Sequence, residues 1–486
     1  MALMDRRAFI ARGIAATGGG ALSAVALERL AVRAALADKG GHHGSSYGEP
    51  TPQKDQRGIE VLALPAGFSY VTFGHIGSTM SDGHQTPLAL DGMAAFRGPR
   101  GTVRLIRNHE DRNFRGAGSV PRDRHAYDQS AGGGTTTLDY DPHSRTLVRD
   151  FVSLSGSHVN CAGGHGLHRR SWLTGEENVY GPAFAADVRR QYDKRHGYVF
   201  EVPLDRRPGD SAARPLKAMG RFMHEALATD HRSGVVYLTE DPGSGRGAGF
   251  YRFTPRDKRN LARGGRLQIL GIKGSPQYDA REGEQRGRPL PVTWIDIDDV
   301  DPEYTSEDDP RGVFQQGWRA GAAKFNRLEG CWPDGDSIFF VSTSGGDAKN
   351  GDVNSDGYRE GYGQIWEYRQ RRRQLVLHYE SPGGEVMDSP DNLTVTPRGG
   401  LIAAEDDASD ANGESVNRLI GISPRGEAFT FAVNVYSESE LAGVCFSPDG
   451  RTLFVNLFGA SEGTPEQHRD AGMTCAITGP WRHGPL

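Results

Sequence analysis

Cysteine is scarce in this 486-residue chain. Cys161, Cys331, Cys445 and Cys475 are the four present, and none stands in a CxxC or other paired spacing. An even count permits disulfides in an exported protein, but this spacing supports no particular connectivity. Cys331 and Cys445 open apolar strands (Gly330-Cys331-Trp332, Val444-Cys445-Phe446) and read as small buried hydrophobes. Positive charge is also wanting. The formal net charge is -5 and no long basic run occurs, which argues against nucleic acid as a partner. Beyond the N-terminus, no apolar run nears the length of a transmembrane helix.

Glycine, by contrast, reaches 66 residues, dispersed among apolar strands as in a chain built from turns. Disorder is expected only from about Asp38 to Gln56. Asp5-Arg6-Arg7-Ala8-Phe9-Ile10 is a twin-arginine pattern, followed by a Gly/Ala-rich apolar run from Ile14 to Leu27 and a small-residue cleavage site at Ala35-Leu36-Ala37. The run is too short to span a bilayer, so residues 1–37 are expected to be a twin-arginine export signal. Its partner would be the export machinery, and its destination the periplasm or the exterior of a bacterium. Removing it takes the net charge to about -8. Residues 38–56 would then form a flexible lead-in, and 57–486 one domain.

That domain repeats one grammar: a polar or acidic start, an apolar strand, a Pro/Asp/Gly turn, and a second apolar strand. It runs from Met223-His224-Glu225 to Leu238-Thr239-Glu240-Asp241, and from Arg327-Leu328-Glu329 to Phe339-Phe340-Val341. It returns from Pro390-Asp391-Asn392 to Ala403-Ala404-Glu405, and from Leu441-Ala442-Gly443 to Phe454-Val455-Asn456. No such unit can bury its apolar face alone, and stacking units about an axis does so, which predicts an all-β propeller. Matching strand ends then surround one channel. Glu225, Glu329, Asp391 and Asn392 are expected to converge there, where carboxylates repel unless cations sit among them.

Other segments carry chemistry. The strand Val103-Arg104-Leu105-Ile106 runs into Arg107-Asn108-His109-Glu110. Cys161 lies in the Gly-rich Asn160-Cys161-Ala162-Gly163-Gly164, followed by a strand ending in Glu176-Glu177-Asn178. Thiolate suits a transition metal, whereas carboxylate and carbonyl oxygens suit calcium or magnesium. Asp352-Val353-Asn354-Ser355-Asp356-Gly357 has the opening of a calcium loop, but the twelfth position is Gly363, so an EF-hand fails. Glu405-Asp406-Asp407 with Asp410 and Asn412 is a further acidic turn. Arg327 and Glu329 share one strand face, a fixed cation beside an acid, as a phosphate site or a structural ion pair would have.

With these residues in place the chain resembles the secreted PhoX-type alkaline phosphatases, from Leu64-Pro65-Ala66-Gly67-Phe68 to Ile477-Thr478-Gly479-Pro480-Trp481. The resemblance is carried by Met80-Ser81-Asp82-Gly83, Asp91-Gly92-Met93, Arg107-Asn108-His109-Glu110, Asn160-Cys161-Ala162-Gly163-Gly164 and Trp172-Leu173-Thr174-Gly175-Glu176-Glu177. His224-Glu225, Arg327-Leu328-Glu329-Gly330, Pro390-Asp391-Asn392-Leu393 and Phe446-Ser447-Pro448-Asp449-Gly450 extend it. It implies a six-bladed β-propeller whose channel holds two ferric (Fe3+) and three calcium (Ca2+) ions and hydrolyses phosphate monoesters. Carried over by position, Cys161 would ligate iron. Glu177, Glu225 and Glu329 would be carboxylate ligands, joined by Glu110, Glu240, Asp391 and Glu405. Arg327 and Asn160 would contact phosphate or the cluster, and the protein would act as a monomer on a small phosphate ester.

The chain departs from the family between Gly164 and Trp172. Where many members carry Thr-Pro-Trp-Gly, it has the longer His165-Gly166-Leu167-His168-Arg169-Arg170-Ser171, and Gly175 stands where Cys is common. These changes fall between the thiolate and the carboxylates in sequence, and are expected to bear on substrate preference and cluster occupancy. Two other readings stand beside it: a calcium-dependent lactonase-type propeller hydrolase without iron, which shares the repeat grammar, and a metal-stabilised binding propeller without catalysis, for which the altered segment 165–171 argues.

Overall fold

A computed structural model of the chain describes residues 47–115, 119–185, 191–406 and 415–486. The export signal and residues 38–46 of the lead-in lie outside the described residues, as do Asp407, Asp410 and Asn412. Strand dominates. Among the described residues the one α-helix is Val313–Arg319.

Antiparallel sheets surround an axis lined by six inner strands. These are Leu90–Arg97, Gly163–His165, His224–Thr229, Leu328–Asp334, Pro390–Val395 and Leu441–Phe446. Each packs beside the next, and the sixth packs beside the first, so the ring is closed. From each inner strand the chain steps outward by tight turns; in the first sheet the order is Leu90–Arg97, Val103–His109, Gly133–Asp141, Thr146–Ser157. The third and fourth sheets are continuous through Pro289–Asp296, which pairs with Gln374–Glu380 at the outer rim.

The ring is fastened by both ends of the chain. Ser69–Phe73 pairs with Met473–Thr478 and completes the sixth sheet. Glu60–Leu64 and Thr51–Lys54 extend the fifth. Thr51–Lys54 falls inside the stretch expected to be flexible, but its pairing with Glu60–Leu64 makes it an edge strand.

The repeat grammar has its reason in the core. A separate apolar cluster fills each gap between neighbouring sheets: Leu227, Val236 and Tyr251 with Leu173 and Val199 in one, for example, and Phe250 with Phe340 and Trp366 in the next. Every sheet therefore buries both faces against its neighbours, and hydrophobic burial is satisfied only when the ring is complete. Trp332, near the end of the fourth inner strand, is half-buried and packs against three of these clusters at that end of the ring. All four cysteines are buried and free. Cys161 is among them, although its loop carries no apolar pattern.

Candidate metal centre

Five inner strands slip register at the same point, between Leu90 and Met93, His224 and Leu227, Leu328 and Cys331, Pro390 and Leu393, and Ala442 and Cys445. A bulge re-aims a side chain. The re-aimed positions are Asp91, Glu225, Glu329 and Asp391; Ala442, still paired with Asn456, stands at the matching place in the sixth inner strand, and Cys161 at the matching place before the second. Two residues before each stand Ala89, Val159, Met223, Arg327, Ser389 and Glu440. Their carbonyls accept from the N–H of Glu110, Glu177, Asp241, Thr343, Asp406 and Phe458, at 2.9 to 3.2 Å. Ala89, Val159, Arg327 and Ser389 hold positive φ between 45° and 51°, a costly conformation for residues with a side chain, worst for β-branched valine. Fold closure and strained backbone thus meet at one end of the channel.

Three rows of side chains arise from this. Within them Asp91, Glu110, Cys161, Glu177, Glu225, Glu329, Asp391, Asp406 and Glu440 form four overlapping triads, sharing Cys161, Glu225 and Asp391 as corners. In each triad the ligand atoms lie within 4.8 Å of one another. Burial raises the carboxyls of Asp91, Glu225, Glu329 and Glu440 well above their ordinary range, and their mutual repulsion adds to it. Asp391 is pushed up to about 7 by burial and by Asp406. The Cys161 thiol is raised by burial and then by Asp91 and Glu225, and it donates to Asp91 Oδ2 at 3.5 Å.

Whether cations fit is answered by Glu225. It is fully buried, and neither carboxylate oxygen has a hydrogen-bond partner. An isolated buried carboxylate is too costly to persist, and a cation shared with Cys161, Glu177, Glu329 and Asp391 removes the cost. A donor set of one thiol sulfur and many carboxylates suits a transition metal together with several hard, oxygen-bound cations.

Of the residues expected from the sequence, Glu110, Cys161, Glu177, Glu225, Glu329 and Asp391 come together. Glu240 and Glu405 are engaged elsewhere. Glu240 Oε2 accepts from Tyr251 Oη at 2.5 Å and Gly249 N at 3.1 Å. Glu405 pairs with Arg418 at 2.6 Å and accepts from Asp388 N. Asn160 is fully buried, donating to Thr174 Oγ1 at 2.9 Å and accepting from Ser157, so it braces the Cys161 loop. Asn392 also braces, accepting from Gly443 N at 2.7 Å. Arg327 lies at the array, 3.0 Å from both Glu329 Oε1 and Asp241 Oδ2. Burial would raise Asp241, but the Arg327 charge and hydrogen bonds hold it below its usual range.

Asp91, Asp406 and Glu440 belong to the array although none of them is among the ligands expected from the sequence. The signal for Asp91 was its place before Gly92 at a strand start, as in Glu329-Gly330. The calcium-like run is occupied differently: Asp356 ion-pairs with Arg281 at 2.7 Å and approaches Lys324 at 3.7 Å.

The altered segment 165–171 sits away from the array. His165 pairs with Trp172 and Gly163 with Thr174, so the segment turns the hairpin at the end opposite Cys161 and Glu177. Gly175 has its own reason, since a Cβ there would come within 2.7 Å of His224 Cβ.

A ring-closed β-propeller with a buried thiol and carboxyls gathered at one mouth is a fold built around a candidate metal site. The family described as alkaline phosphatase PhoX matches residues 45–460, and the chain belongs to this family of phosphatases. Comparison with curated proteins gives no match. Among solved structures, Pseudomonas fluorescens PhoX in complex with vanadate, a transition state analogue, shares the fold at TM-score 0.65 and 20% identity, covering 90% of this chain and 98% of that one. A gluconolactonase of Xanthomonas campestris aligns at TM-score 0.38 and 11% identity, covering 90% and 98%.

Proposed function

We propose that the chain is an exported, six-bladed PhoX-type phosphatase that hydrolyses phosphate monoesters with iron and calcium held at the channel mouth. The unpartnered, buried Glu225 carboxylate at the centre of the overlapping triads carries this reading. Cys161 would take iron, and the surrounding carboxylates would take calcium or share iron. When bound, such cations neutralise phosphoryl oxygens and make water a nucleophile at moderate pH.

The chain's own residues do the rest. Asp241 and Glu329 both hold the Arg327 guanidinium, setting it at the array where it would orient a phosphoryl group. Trp332 packs among three clusters at the far end, which supports substrate entry from the carboxylate end. Asn160 and Asn108 fix the Cys161 loop, Asn108 Nδ2 donating to the Cys161 carbonyl at 3.0 Å. Among the described residues Val148 and Val353 are the exposed large apolar side chains, which supports a monomer. Arg6-Arg7 and the apolar run after it support export of the folded protein to the periplasm or beyond.

The test is iron and calcium analysis of the exported protein with an aryl phosphate assay. Both metals and turnover are expected, with Glu225→Gln and Cys161→Ser each losing at least about a hundredfold in activity and part of the metal. Full activity in both variants, or metal-loaded protein inert on phosphate esters, rejects the reading.

A further inference from the structure

Sequence reading passes over Arg112, two residues beyond Glu110. Its guanidinium ion-pairs with Glu110 Oε1 and lies 3.5 Å from Glu177 Oε2. Both acceptors are corners of the array, Glu110 with Asp91 and Cys161, Glu177 with Cys161 and Glu225. Arg327 makes the matching arrangement at Glu329, in the triad of Glu225 and Asp391. The two guanidinium groups therefore sit at different members of one continuous run of carboxylates, joined through Glu225.

Exposure says on which side Arg112 lies. Its side chain is 36% exposed, against 8% for Glu110 and 11% for Glu177. It therefore covers these carboxylates from the solvent side, where a substrate arrives. Cations held by Glu110 and Glu177 would compete with Arg112 for these carboxylates. Its fork of donors would then turn to an anion at that spot, and a phosphoryl group offers the oxygens that a planar guanidinium grips in pairs.

Resting on the phosphatase reading, we propose that Arg112 is a second phosphate-binding residue, holding the phosphoryl group from the Glu110 and Glu177 side while Arg327 holds it from the Glu329 side. A purely structural role, in which Arg112 only neutralises the two acids, makes a different prediction. The first role sets phosphate affinity, and the second sets metal retention.

The experiment uses full-length, metal-loaded protein with Arg112→Met and Arg112→Lys, measuring 4-nitrophenyl phosphate kinetics, inorganic phosphate binding by calorimetry, and iron and calcium content. Arg112→Met is expected to raise KM and weaken phosphate binding by about tenfold or more, with kcat changed less and metal content unchanged. Arg112→Lys recovers part of the affinity and guards against a folding defect in the first variant. Unchanged KM and phosphate affinity overturn the proposal, as does metal loss in both variants with affinity falling only in proportion. Wild-type protein that carries its metals but neither binds phosphate nor turns over the ester brings down the phosphatase reading instead, and this proposal with it.

Discussion

Adjacent acids at the ends of second strands do two different jobs. In Glu176-Glu177, Glu240-Asp241 and Glu405-Asp406 the first acid is spent inside its own sheet and the second points to the channel. Glu176 accepts from His196 Nδ1 at 2.6 Å and from Gly197 N at 2.8 Å, while Glu177 joins the array. Strand alternation separates the two jobs, but which acid faces inward depends on a register that no sequence pattern prints. That is why the sequence reading names Glu240 and Glu405, and the array contains Asp406 while Asp241 holds Arg327. Glu240 offers a clean check. Burial pushes its carboxyl up to about 8, above the unfolded range. The folded protein then keeps a proton that the unfolded chain has released, and stability is lost as pH rises from about 4.5 towards 8. Glu240→Gln mimics the protonated form and keeps an oxygen for Tyr251 and Gly249. It should remove a slope of about 1.4 kcal/mol per pH unit from the stability profile in that window while leaving kcat/KM within about twofold. Urea titrations across pH read the first, and an unchanged slope contradicts the assignment.

At the scale of the strand, the array depends on how closely neighbouring inner strands approach. Gly92 and Gly330 each follow a re-aimed position, Gly443 follows Ala442 at the matching place, and all three face the next strand's backbone. A Cβ on Gly92 would stand 2.5 Å from Ala162 Cα and 2.6 Å from the Cys161 carbonyl, and one on Gly330 would stand 2.7 Å from the Asp391 carbonyl. The Gly92 N–H donates to the Cys161 carbonyl at 2.9 Å, so this contact also sets where the thiol sits. Gly92→Ala should therefore cost about 1 to 3 kcal/mol and displace Cys161, lowering bound iron more than calcium. Metal analysis beside a denaturation curve checks both; normal iron content with lowered stability would confine the effect to packing. The hairpin turn at 165–171 predicts the opposite pattern. Replacing it with the shorter Thr-Pro-Trp-Gly run common in the family should leave KM and kcat within about twofold, because the turn lies at the far end of strands that rise about 3.3 Å per residue. The repeat grammar made strands and turns legible in the sequence. Bulges were not, since a slip of one residue leaves the apolar pattern intact and changes only what the strand start points at.

Across the whole molecule, closing the ring forces the acids together. The six inner strands cannot pack their cores without bringing Asp91, Glu225, Glu329 and Asp391 to one mouth, so the fold and the charge cost are inseparable. Protons or cations must offset that cost. Without cations, the raised carboxyls hold protons that the unfolded chain has released above about pH 4.5, and stability falls as pH rises from there through about 7 at Asp391 and further for the groups held higher. Bound cations take the place of those protons, so loaded protein escapes the decline and metal uptake releases protons. The melting temperature of chelator-treated protein should therefore drop progressively below that of loaded protein between pH 5 and pH 8, each additional retained proton steepening the underlying loss of unfolding free energy by about 1.4 kcal/mol per pH unit. Melting curves at a series of pH values, with and without chelator, measure the gap. Parallel curves would mean that the carboxylates are already ionised and balanced by the protein's own cations. A widening gap means that the metal ions hold the ring closed where the enzyme works, and that substrate meets a site whose charge is set by them.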